Sequence, residues 1–90
     1  MPKLILPELL KRYSPGTLEY TVSGDTVYEC LRDLVDQCPP LEEKLFKPDG
    51  KLSAAFIIYL DNRDIRMLDG SDTETGPDST IRLLAALAGG

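Results

Sequence analysis

Thr80-Ile81-Arg82-Leu83-Leu84-Ala85-Ala86-Leu87-Ala88-Gly89-Gly90 is the stretch on which the fold turns. Its first half places a β-branched residue and three aliphatic ones around a single arginine, the composition of a half-buried strand. Ile81 and Leu83 fall on one face at period two and read as core, and Arg82 falls on the other face. Its second half has no strand pattern and closes on two glycines, so residues 1–84 read as a domain and residues 85–90 as an extended tail. At about 3.3 Å per residue, Leu84 to Gly90 could reach roughly 20 Å, enough to leave a small domain and enter another protein's active site.

Working back from this strand, Ala54-Ala55-Phe56-Ile57-Ile58-Tyr59-Leu60 is apolar throughout and short, which predicts a buried central strand. Pro48-Asp49-Gly50-Lys51 turns the chain into it, and Asp61-Asn62-Arg63-Asp64 turns the chain out. Ile65-Arg66-Met67 reads as a brief strand, and residues 69–79 as a polar loop. Upstream, Thr26 and Glu29 have capping-box spacing. Val27, Cys30, Leu31, Leu34, Val35 and Cys38 then recur on one helical face, until Pro39 and Pro40 end the helix near Gln37. Leu41 to Phe46 suggests a short second helical turn. At the start, Lys3 to Leu6 and Thr17 to Val22 read as two strands of a hairpin, joined through turn chemistry at residues 11–16.

The order β, β, α, β, short β, β predicts an α+β domain. One main helix packs on a mixed four- to five-stranded sheet, with the last strand parallel to the first in the sheet interior. This is the β-grasp plan.

Composition narrows the partners. Fifteen acidic against ten basic side chains leave a formal charge of −5, which disfavours nucleic acid and anionic membrane and favours a partner with a basic docking face. No run is long and apolar enough to span a bilayer, and Pro7-Glu8 interrupts the apolar N-terminus before a signal core could form, so a cytoplasmic location is expected. With no histidine and two cysteines, a zinc site of ordinary His and Cys ligands cannot be assembled within the chain. Cys30 and Cys38, eight residues apart along one helix, would lie about 12 Å apart, beyond disulfide reach.

The diglycine carries the chemistry. Residues without Cβ pass through a slot too narrow for side chains and allow close approach to a nucleotide phosphate. A terminal Gly90 carboxylate would then be unhindered toward the α-phosphate of ATP, forming an acyl-adenylate open to a sulfur or nitrogen nucleophile. In that reading the tail is a substrate and the chain supplies no catalytic side chain.

Leu6-Pro7, Leu10-Lys11, Gly24-Asp25-Thr26, Asp49-Gly50-Lys51-Leu52, Ile58-Tyr59-Leu60, Asp64-Ile65-Arg66, Gly70, Asp72-Thr73 and Ala88-Gly89-Gly90 occur in an order that resembles the ubiquitin-like sulfur-carrier family of MoaD and ThiS type. That family includes the small subunit of molybdopterin synthase, the thiamine-pathway carrier and the cysteine-biosynthesis carrier; the chain is most similar to the longer cysteine and molybdopterin types. The resemblance implies that a ubiquitin-activating-like adenylyltransferase uses ATP to adenylate Gly90. A sulfur donor protein then converts the acyl-AMP to a thiocarboxylate that serves an acceptor synthase, either the molybdopterin synthase large subunit or a cysteine synthase type. It implies no permanently bound cofactor and no metal. Gly89 and Ala88 would thread the tail, and Leu87, Leu84, Arg82 and Tyr59 would dock partners. Two other readings remain open from the residues: a modifier joined through Gly90 to lysine amines, and a plain β-grasp binding domain.

Overall fold

The computed structural model describes residues 1–14 and 16–86. Strands β1 (Lys3–Ile5) and β2 (Glu19–Thr21) precede helix α1 (Val27–Gln37) and the short helix α2 (Glu42–Leu45). Strands β3 (Phe56–Leu60), β4 (Arg63–Asp64) and β5 (Thr80–Ala85) follow, and the sheet order is β2-β1-β5-β3-β4. β1 runs parallel to β5 and every other pairing is antiparallel, so the final strand occupies the centre of a mixed sheet, as the β-grasp reading requires.

α1 begins where the sequence places it, because the Thr26 hydroxyl accepts the Glu29 N–H at 3.1 Å. The reciprocal half of the cap differs: the Glu29 carboxylate accepts the Asp25 N–H at 2.8 Å rather than that of Thr26. The helix start is also held from outside. Val27 N–H donates to Thr73 O at 3.0 Å, Thr75 N–H donates to Asp25 O at 2.9 Å, and the Thr75 hydroxyl donates to Gly24 O at 2.9 Å. The polar loop at 69–79 is therefore a brace for the helix, not a plain connector. The chain passes close over the first turn of α1 and leaves no room at Gly24, where an added Cβ would sit 2.7 Å from Cys30 N and 2.9 Å from the Glu29 carbonyl carbon. Gly24→Ala should cost roughly 1–3 kcal/mol by overpacking. Denaturant unfolding measures this, and an unchanged midpoint would contradict it.

The inner sheet face and α1 form the core. Leu4, Leu10, Leu31, Leu34, Leu41, Ile81 and Leu83 are essentially inaccessible. Each such side chain contributes about 1.5–3 kcal/mol by leaving water. Cys30 and Cys38 are free thiols buried in the same cluster. The Cys38 thiol donates to Tyr13 O at 2.9 Å, next to a buried Ser14 hydroxyl that donates to Thr17 O and pairs with the Tyr20 phenol. Burial raises the Cys30 thiol's pKa, since the thiolate would lose its hydration there.

Several sequence expectations are corrected. Ile65–Met67 is a 3-10 turn, not a strand; β4 is the preceding pair Arg63–Asp64. The cause is local: Asp61 and Asn62 both take positive φ (49° and 72°), giving a two-residue hairpin loop, and the Asp64 carboxylate then accepts the Arg66 N–H and starts the turn. Residues Glu8–Tyr13 form a 3-10 helix that buries Leu10, where the sequence suggested turn chemistry from residue 11 onward. β5 does not stop at Leu84. Ala85 pairs with Phe56, and Ala86 N–H donates to Ala55 O at 2.9 Å, so the first two residues of the expected 85–90 tail are tied to the sheet.

Candidate functional site

β5 brings its alternate residues to opposite faces: Ile81 and Leu83 are buried, while Arg82 and Leu84 are exposed. Register carries this division across the sheet. Arg82 pairs with Ile5 on one side and Tyr59 on the other, Tyr59 pairs with Asp64, and Leu84 pairs with Ile57. Tyr59, Arg82 and Leu84 therefore share the outer face, the one turned away from α1. Three of the sequence-predicted docking residues come together here, with Leu84 41% exposed and Tyr59 half-buried.

Ile57 and Ile5 join this face, and the sequence reading did not single them out. The reason is the apolar run in β3, which has no polar alternation to show which residues turn outward. Register supplies what periodicity lacked.

The face is bordered by paired charges. Lys3 and Glu19 lie 3.6 Å apart, and Arg66 holds Asp64 through contacts of 2.6 to 3.1 Å. The Arg66 guanidinium keeps the Asp64 carboxyl below its ordinary range, chiefly by hydrogen bonding, and Asp64 raises Arg66 in turn. Arg66 is exposed and Asp64 only partly so, and a pair with one solvated partner orders the turn more than it stabilises the fold.

Leu87, Ala88, Gly89 and Gly90, named above as docking, threading and activation residues, lie outside the described residues. What the structure fixes is their origin. Ala86 is held beside β3 at the end of the central strand, next to a groove of about 400 Å³ that Ala86 helps to line with Leu52, Phe56, Ile57, Ile65 and Arg66. Among the described residues, no three His, Cys, Asp or Glu side chains gather as a metal site would require. No helix among them is long and apolar enough to cross a membrane.

No family model matches the sequence. The chain is 30% identical over 87 residues to the sulfur carrier protein CysO of Mycobacterium tuberculosis, covering 94% of each protein. Among solved structures, a chain of the Amycolatopsis orientalis BexX/CysO complex superposes with a TM-score of 0.88 at 26% identity, with both chains fully covered. The small archaeal modifier protein 1 of Methanosarcina acetivorans gives a TM-score of 0.86 at 27% identity, covering 99% of this chain and 95% of that one.

Proposed function

The chain belongs to the family of ubiquitin-like sulfur-carrier proteins, and from that premise we propose that Gly90 is the group on which the sulfur travels. A Gly90 carboxylate oxygen attacks the α-phosphate of ATP in an activating enzyme, and pyrophosphate leaves. Hydrosulfide supplied by a sulfur donor then attacks the acyl carbon, the acyl–oxygen bond to AMP breaks, AMP leaves, and the acyl group is left as a thiocarboxylate. Its sulfur is a softer and better nucleophile than oxygen and attacks an activated precursor in the acceptor enzyme. Proximity in that docked complex supplies part of the rate. Catalytic groups belong to the partners; this chain is their co-substrate.

The observation that supports this reading is the placement of β5. A central strand, paired on both sides and tied to β3 through Ala86, starts the four remaining residues from a fixed point on a rigid sheet. The outer face around Leu84, Ile57, Tyr59 and Arg82 is the docking surface in this reading, with Leu87 extending it. Gly89 and Ala88 pass through the enzyme's slot. The net charge of −5 suits a basic partner surface. Similarity to CysO favours an acceptor of the cysteine synthase type over one of the molybdopterin type.

Similarity to a small archaeal modifier protein keeps one second reading in play, conjugation of Gly90 to lysine amines. Products separate the two. With an activating enzyme, radiolabelled ATP and the chain, AMP should transfer to the C-terminal peptide. Addition of a sulfur donor should then give a thiocarboxylate. Isopeptide-linked adducts with no thiocarboxylate would support the modifier instead.

A further inference from the structure

β3 has an open edge beside the root of the tail. Ala86 N–H bonds Ala55 O and Asp61 N–H bonds Thr80 O, so the odd-numbered residues of β3 direct their backbone groups toward β5. Phe56 and Ile58 direct theirs the other way, toward β4. There the ladder ends at Tyr59↔Asp64, because Asp64 turns the chain into the 3-10 segment at Ile65. β4 therefore offers no ladder partner opposite Phe56 or Ile58, and this edge of β3 has no neighbouring strand there.

The groove lies along this edge. Ala86, Ile57, Leu52 and Ile65 line it, and the one charged side chain among its described lining residues, Arg66, is already engaged by Asp64. An unpaired strand edge is satisfied by water, but a covering surface that cannot hydrogen-bond strips that water and leaves its polar groups unpaired. An extended backbone matches such an edge, with an alternate side chain filling the apolar recess beside it.

Reach selects the occupant. The four residues beyond Ala86 span at most about 14 Å, so any enzyme holding Gly90 in its active site must bring its surface against Ala86 and the groove that Ala86 lines. Resting on the carrier reading above, we propose that an extended segment of the activating enzyme adds to the open edge of β3 at Phe56–Ile58 and places an apolar side chain in the groove between Leu52, Ile57 and Ile65. The enzyme then recognises the carrier at the tail's root through backbone pairing, in addition to contacts on the outer sheet face, which the groove adjoins at Ile57.

Amide hydrogen exchange of the full chain, free and saturated with the ubiquitin-activating-like adenylyltransferase of its own genome, tests this. The Ile58 amide should slow by tenfold or more in the complex. Ser71 also lines the groove, and Ser71→Trp should fill it. That variant should raise KM for AMP transfer by about tenfold and leave kcat unchanged, as loss of a docking contact does. An Ile58 amide that exchanges equally fast in the complex, or a folded Ser71→Trp chain with unaltered KM, would overturn the proposal. AMP transfer to the unaltered chain without Ile58 protection removes this inference alone. No AMP transfer at all removes the carrier reading with it.

Discussion

Deletion of Gly90 is expected to abolish AMP transfer to the chain while leaving its unfolding midpoint unchanged. Among the described residues, the core runs from Leu4 through Leu83, and the last tie to the sheet is the Ala86 N–H bond to Ala55. Deletion moves the carboxylate back by about 3.3 Å. A displacement of about 1 Å can already cost a hundredfold in a positioned reaction, so a shift of this size removes the reacting atom from the phosphate altogether. Gly89→Trp should fail for a different reason, because its side chain cannot enter a slot sized for backbone. ATP-pyrophosphate exchange with each variant measures both. Activity near that of the unaltered chain in either one would contradict the role assigned to the diglycine.

The second large effect is expected on the outer sheet face. Leu84→Asp places a charge where the structure has an exposed aliphatic side chain paired across to Ile57. Folding should change little, since Leu84 does not enter the core cluster. Docking should suffer, because a central apolar anchor in an interface is commonly worth about 2 kcal/mol or more. KM for activation should therefore rise by roughly thirtyfold with kcat unchanged, the signature of lost uniform binding. A kcat loss with normal KM would move Leu84 from docking to alignment of the tail, and no change in either would remove the outer face from the interface.

Much of this fold was legible because its deciding signals are local. Thr26 and Glu29 mark the helix start, Pro39 marks its end, and Ile81 and Leu83 alternate with Arg82 in β5. β4 was misplaced because two consecutive positive-φ residues, Asp61 and Asn62, are not announced by glycine. The 3-10 helix at Glu8–Tyr13 has no periodicity long enough to read, and it persists because Leu10 is buried. For the candidate site, the sequence could name residues but not their arrangement. Arg82, Tyr59 and Leu84 could be named, yet their common face, and the presence of Ile57 and Ile5 on it, depend on strand register. The open edge at Phe56–Ile58 exists because β4 is two residues long, a fact no composition rule supplies.

The central claim is that sulfur resides on the chain's terminus and not on a thiol. Cys30 and Cys38 are both buried, and burial keeps the Cys30 thiol protonated at neutral pH, where a sulfur relay would need thiolate. The direct measurement is intact-protein and peptide mass spectrometry after incubation with the activating enzyme, ATP and a sulfur donor, for the unaltered chain and for Cys30→Ala/Cys38→Ala. One oxygen replaced by sulfur, mapped to the C-terminal peptide and retained in the double variant, is the predicted result. A persulfide on either cysteine with an unmodified Gly90 would contradict it.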